Sequence, residues 1–175
     1  DNLSAPEIAL PGDYFNTVIY AGSDSSLAVT GTGFLPDTTW IKARTVDNNN
    51  RIFDSVRGAS SKLIPDGTHA QEIGDEFTSF DSDGFTLKGG TGANSSGNNF
   101  VSWNWKAGGT ASSNTDGTIT SSVSANTDAG FSIVSYTGTG SAATIGHGLS
   151  TAPELIIVKS LTGEGWNVYA EPVSS

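Results

Sequence analysis

The chain has 175 residues, with 18 acidic against 8 basic side chains, a formal charge of −10, and neither Cys nor Met. Disulfides and thiolate metal sites are therefore excluded, and so acidic a chain, lacking any Lys/Arg run, repels nucleic acid. No apolar run approaches the roughly 18 residues that a membrane span needs. The 22 Gly residues, together with abundant Ser, Thr, Asn and Asp, disfavour helix interiors, while Val, Ile, Phe, Trp and Tyr suit a pleated surface. The class expected is all-β, an antiparallel β-sandwich of jelly-roll type.

In chain order, residues 1–14 read as an extended N-terminal arm, because Pro6 and Pro11 push their predecessors toward extended geometry. Strands are expected at 15–21, 26–30 and 39–44, then at 51–56 after the turn Asp47-Asn-Asn-Asn50. A short strand is expected around Lys62-Leu63-Ile64. A hairpin is expected from 77–80 and 85–88 around Asp81-Ser-Asp83-Gly84. Residues 99–106 are the most legible strand: Val101, Trp103 and Trp105 face one way and Ser102, Asn104 and Lys106 the other. Residues 107–117 read as a loop and 118–124 as a weak strand. Further strands are expected near 131–137, 142–145, 154–160 and 166–170, and no segment has helical periodicity.

The later strands repeat the earlier ones. Phe15-Asn-Thr-Val18-Ile-Tyr20-Ala-Gly22 returns as Phe131-Ser-Ile-Val134-Ser-Tyr136-Thr-Gly138, Gly31-Thr-Gly33 as Gly146-His-Gly148, and Pro36-Asp-Thr-Thr-Trp40-Ile-Lys42 as Pro153-Glu-Leu-Ile-Ile157-Val-Lys159. The offsets are 116, 115 and 117 residues, the mark of a duplicated supersecondary unit. The organisation expected is an arm (1–14), a first sandwich unit (15–110), a connection with one strand (111–130) and a partial second repeat (131–175). Matching Phe15, Val18 and Tyr20 to Phe131, Val134 and Tyr136 predicts that both copies bury the same strand face. The absence of Met and the short second copy lead to the expectation of a piece of a longer modular protein. An incomplete sheet has an open edge that must be covered, paired or charged. The arm residues Ile8, Leu10 and Tyr14 are candidates for pairing with such an edge in a neighbouring copy.

The candidate sites each have a plainer reading. Asp81 and Asp83 alternate in a turn and could converge on Ca²⁺; a hairpin turn explains them equally, and no other cofactor is indicated. Trp103 and Trp105 share a strand face and could stack on sugar rings. Burial is the alternative, and the replacement of Trp40 by Ile157 in the second copy favours core. Arg57 could bind an acidic glycan, or brace its turn through Asp54. Lys42 and Lys159 read as solvated strand-end charges. His69 and His147 have no triad partners in any recognisable pattern. Glu76 with Asp81 and Asp83 would be the carboxylates of a glycosidase, a reading that hinges on their separation. Asn94-Ser-Ser96 fits a glycosylation acceptor.

The repeat strands resemble a known pattern, together with Phe53-Asp-Ser-Val-Arg57-Gly-Ala59, Thr78-Ser-Phe80-Asp-Ser-Asp-Gly84-Phe-Thr-Leu87, Trp103-Asn-Trp105-Lys-Ala-Gly-Gly109 and Asn126-Thr-Asp-Ala-Gly-Phe131. The pattern is a duplicated β-rich domain of tailed-phage virion proteins, often placed after a SPRY-like domain. The resemblance runs from about residue 2 to about residue 170 and carries no catalytic residues. It implies a non-enzymatic structural or adhesive module of a virion or other extracellular assembly. Its partners would be copies of itself, other virion proteins and a host-surface glycan. A fibre subunit joined by strand or arm exchange is the alternative, and a tail-spike enzyme the third.

Overall fold

The computed structural model describes residues 10–172. The protein is an all-β antiparallel sandwich, and the described residues contain no α-helix. Leu10 leads into a 3₁₀ turn at Pro11–Asp13, where Pro supplies the preset φ of a first helical position. Ile8 lies outside the described residues. Leu10 is exposed, and the Lys106 ammonium lies 6.0 Å from the centre of the Tyr14 ring.

Fourteen strands follow among the described residues: β1 (Phe15–Ala21), β2 (Leu27–Thr30), β3 (Thr38–Ala43), β4 (Arg51–Asp54), β5 (Ser61–Lys62), β6 (Glu72–Ile73), β7 (Phe77–Asp81), β8 (Gly84–Leu87), β9 (Asn99–Trp105), β10 (Ser112–Asn114), β11 (Ser121–Asn126), β12 (Phe131–Tyr136), β13 (Leu155–Lys159) and β14 (Trp166–Ala170). The first layer is a four-stranded sheet in the order β1-β9-β3-β4, and the second is β2-β8-β7. Strand β9 enters between β1 and β3, antiparallel to both, so that Tyr20, Phe100 and Ala43 share one rung and Thr17, Trp103 and Trp40 another.

Between these layers lies the core: Val29, Ile41, Ala43, Phe53, Phe77, Phe85, Leu87, Ala93 and Phe100. Phe77 stacks on Phe53 at 4.6 Å and on Phe85 at 5.3 Å, and Tyr20 stacks on Phe100 at 5.2 Å. Offset aromatic pairs of this kind add to the large apolar area they bury. At the other end the inward face is polar. The Thr39 hydroxyl donates to Asn104 Oδ1 at 3.1 Å, and Asn104 Nδ2 donates to the Asn16 carbonyl at 3.2 Å and Ser102 Oγ at 3.0 Å. Each buried amide and hydroxyl there has a partner, which removes the desolvation cost of placing it inside.

This arrangement corrects two expectations about faces. Phe100, Ser102 and Asn104 of β9 point inward and are fully buried; Val101, Trp103 and Trp105 point outward and are half-buried. Trp40 likewise lies on the outward face of β3, opposite Ile41. Side-chain bulk suggested the reverse, but the satisfied Asn/Ser/Thr ladder lets small polar side chains take the inside. In β1, Val18 and Tyr20 face inward and Phe15 faces outward, as a period of two requires for positions three apart.

The second repeat departs from the first. Residues 142–145 form no strand, only one parallel bridge between Ile119 and Ile145. Their counterpart β2 exists by pairing with β8, and no second β8 is present among the described residues. Tyr136 is 40% exposed, whereas Tyr20 packs on Phe100 and Phe85. The two copies therefore do not bury the same face to the same extent. β10 falls inside the expected 107–117 loop, and β6 was not anticipated.

Face assignment has a direct mutational test. Phe100→Ala should cost about 3–5 kcal/mol, the range for deleting a buried Phe, and Trp103→Ala less than half as much. Urea unfolding of both variants checks this, and the opposite order would restore the tryptophans to the core.

Candidate functional site

Geometry removes several candidates first. Asp83 is drawn to the turn at Gly31–Gly33: its Oδ1 accepts from the Gly33 amide at 2.7 Å and its Oδ2 from the Gly31 amide at 3.2 Å. Gly33 needs its positive φ of 79° to present that amide. Asp81 is held instead by the Ser79 and Thr86 hydroxyls, at 2.8 and 2.7 Å. The two carboxylates serve different turns, and the described residues contain no group of three or more His, Cys, Asp or Glu able to hold a metal ion.

Arg57 braces its own turn. Its Nε and Nη2 both lie 2.6 Å from Asp54 Oδ2, its amide donates to Asp54 Oδ1 at 2.9 Å, and Nη1 donates to Gln71 Oε1 at 3.1 Å. Both side chains are buried, so the bracing reading holds and Arg57 offers no free cation to an acidic glycan. Glu76 is also fully engaged: Oε1 meets Arg51 Nε at 2.7 Å and the Ala93 amide at 2.8 Å, and Oε2 meets Lys62 Nζ at 3.2 Å. Asp81, Asp83 and Glu76 are thus each committed to a structural partner set. A shallow pocket of about 360 Å³ lies beside this network, lined by Asp47, Asn49, Arg51, Lys62 and Glu72 among others.

Other readings are refined in the same way. Lys42 Nζ donates to the Asn48 carbonyl at 2.8 Å, and Lys159 Nζ to the Ser160 and Glu164 carbonyls at 2.8 Å each. Both lysines tie the loop after an equivalent strand, a more specific role than a solvated charge. His147 Nδ1 accepts from the Leu149 amide at 3.1 Å. Asn94 is fully buried, with Nδ2 donating to the Ser25 and Lys88 carbonyls and Oδ1 accepting from the Ser23 amide, so it is not presented as a glycosylation acceptor.

What is presented is the outward face of the β1-β9-β3-β4 sheet. One rung carries Phe15, Trp105 and Thr38; the next carries Thr17, Trp103, Trp40 and Ile52; a third carries Ile19, Val101 and Lys42. Phe15 lies 5.0 Å from Trp105, and Trp40 meets Trp103 edge-on at 6.2 Å. Trp105 also stacks on Phe131 of β12 at 6.1 Å, so the aromatic row runs from the first unit into the second. Trp40 Nε1 is buried and has no hydrogen-bond partner. Trp103 and Trp105 are therefore brought together with Trp40 and Phe15, two residues that spacing within β9 could not add to the set.

One residue missed from sequence holds this face together. Asp37 is buried and accepts from the Ser55 hydroxyl at 2.8 Å and from the Ala107 and Gly109 amides at 2.8 and 3.3 Å. It thereby joins the start of β3, the segment after β4 and the exit of β9. Its signal was the repeated Pro-acidic pair, Pro36-Asp37 and Pro153-Glu154.

The chain belongs to a family defined by a domain of unknown function, DUF7483, whose model matches residues 10–175. No curated protein and no solved structure matches it. The DUF7483 match spans both repeats, so the aromatic sheet face and the partial second unit fall within one family domain.

Tyr20 reports on the core beneath this face. Its hydroxyl donates to the Ala93 carbonyl at 3.0 Å; burial, and then the charge of Glu76, raise its pKa far above the ordinary 10.0, with Arg51 opposing. A raised tyrosine pKa makes the neutral form the folded one. Its contribution is complete below about pH 10 and is lost as the unfolded chain begins to ionise above that value. Stability measured by urea unfolding should fall between pH 9.5 and 11.5, and Tyr20→Phe should flatten that slope. An unchanged slope would show that Tyr20 does not carry it.

Proposed function

We propose that this domain is a non-catalytic structural and adhesive module of an extracellular assembly, a phage virion protein being the setting that the sequence resemblance supports. The observation that carries the reading is the outward aromatic face: Phe15, Trp40, Trp103 and Trp105 on a four-stranded sheet. Contiguous apolar surface of this kind marks interaction sites, and Trp supplies large, rigid contact area at small entropic cost. The second unit keeps apolar residues at the same outward positions, Ile157 for Trp40 and Val168 for Ile52. A neutral saccharide fits this face better than an acidic one. The chain carries a charge of −10, Arg57 is consumed by Asp54, and Lys42 by its loop.

The non-catalytic part rests on the carboxylates. A glycosidase needs two of them about 5–10 Å apart across an open cleft. Here Asp81, Asp83 and Glu76 are each spent on hydroxyls, amides or cations, which supports presentation of a surface over turnover.

Tryptophan fluorescence titrated with neutral host-envelope polysaccharides tests the proposal. The expected result is saturable binding, weakened at least tenfold in a Phe15→Ala/Trp103→Ala variant that keeps its sheet circular dichroism. The proposal fails if the protein stays monomeric, binds no host envelope and is absent from purified virions. New reducing ends in the polysaccharide would overturn its non-catalytic part.

A further inference from the structure

The Asp47-Asn-Asn-Asn50 run between β3 and β4 is held in place by residues outside it. Its backbone is tied at three points. Lys42 Nζ donates to the Asn48 carbonyl at 2.8 Å, Arg51 Nη1 donates to the Asn49 carbonyl at 2.6 Å, and the Asn50 amide donates to Asp66 Oδ2 at 3.0 Å. Asn50 also spends its side-chain amide on Asp66. The side chains of Asp47, Asn48 and Asn49, by contrast, make no hydrogen bond or ion pair among the described residues. Nor do they serve backbone geometry: among the described residues other than Gly, only Asp24 has a positive φ. Left-handed geometry and side-chain-to-backbone bonding are the usual reasons for Asn and Asp in a turn. Neither operates at these three positions.

The three residues line the pocket of about 360 Å³ beside the Arg51–Glu76–Lys62 network, and Ile64 forms its apolar wall. That volume falls within the roughly 300–1,000 Å³ of small-molecule sites. The cations around it are already matched. Arg51 Nε meets Glu76 at 2.7 Å, and Lys62 Nζ meets Glu72 at 3.0 Å and Glu76 at 3.2 Å. The wall therefore keeps no unpaired cation for an anionic ligand. What stays uncommitted is one carboxylate and two amides. A carboxylate accepts hydrogen bonds, and an amide side chain both donates and accepts. Hydroxyl groups, which also do both, complement such a set.

We infer that this pocket binds one uncharged sugar residue, whose hydroxyls donate to Asp47 and exchange hydrogen bonds with the Asn48 and Asn49 amides. The pinned backbone leaves only side-chain rotamers to be ordered on binding, which lowers the entropic cost. The inference does not rest on the outward aromatic face. Arg51 pairs with the buried Ile41 and so lies on the inner side of its sheet, whereas its neighbour Ile52 belongs to the rung of Trp40 and Trp103.

The test titrates the isotopically labelled whole chain with the methyl glycosides of glucose, galactose, mannose and N-acetylglucosamine. Glucuronate and glucosamine serve as anionic and cationic controls. At least one uncharged glycoside should saturably shift the Asn48 and Asn49 side-chain NH₂ resonances and the backbone amides of residues 47–51 in NMR spectra. It should bind at least threefold more tightly than either control. Asn48→Ala/Asn49→Ala should weaken that binding at least tenfold and leave the urea midpoint unchanged, because neither side chain holds the fold. Phe15→Ala/Trp103→Ala should leave it within twofold, so failure of this site and failure of the aromatic face are told apart. The inference is overturned if no glycoside shifts residues 47–51, if a charged control binds more tightly, or if the Asn48→Ala/Asn49→Ala chain binds as the parent does. Loss of the binding in the Phe15→Ala/Trp103→Ala chain would overturn it too.

Discussion

The structure depends on the insertion of β9 between β1 and β3. β1 and β3 are close in sequence, yet neither completes its ladder until a strand some 84 residues beyond Val18 arrives. That insertion sets three things at once. It carries Phe100 to Tyr20 and seals the aromatic half of the core. It aligns Asn104 with Asn16 and Thr39 and so satisfies the polar half. It also places Trp103 and Trp105 beside Trp40 and Phe15 on the outside. Closing so long a loop costs chain entropy before any contact repays it, and the aromatic stack and the buried amide ladder are what repay it.

Among the described residues the second unit has counterparts of β1, β3 and β4. Its hairpin forms in the inherited register, because turn and pairing are local. Ile156 and Tyr169, the counterparts of Thr39 and Phe53, are 41% and 50% exposed. The duplicated sequence thus separates two levels of information that usually arrive together: strand pairing, encoded within about twenty residues, and layer formation, which needs the distant partner. The lysines show the same division, since Lys42 and Lys159 each tie the loop beside their own strand whether or not a core lies beneath.

Much of the strand placement along the chain was legible because alternation and Gly/Asn/Asp punctuation are strong, and β1, β9 and β12 fall within a residue or two of where periodicity puts them. Which face of β9 lies inside was not legible. Volume favoured the tryptophans; the decision went to Asn104, Ser102 and Thr39, whose hydrogen bonds to one another and to the Asn16 carbonyl are complete only once β1, β3 and β9 are assembled. Asp37 was hidden for a related reason: its donors come from Ser55, Ala107 and Gly109, far apart in sequence. Asp83 caps the Gly31–Gly33 turn and Asp81 is bound by Ser79 and Thr86, whereas Trp40 and Phe15 join the outward face only through cross-strand register. Residues 142–145, expected as a strand, form only the single bridge between Ile119 and Ile145.

Function follows the same logic, since a surface built from cross-strand neighbours is only as ordered as the sheet that carries it. Residue-resolved amide hydrogen exchange of the whole chain tests the central claim most directly. If β9 organises the fold, the amides of β1, β3, β4 and β9 exchange together, at the free energy of global unfolding, while those of β13 and β14 exchange orders of magnitude faster. Uniform protection across both units, or a β9 that exchanges before β1 and β3, would contradict the account.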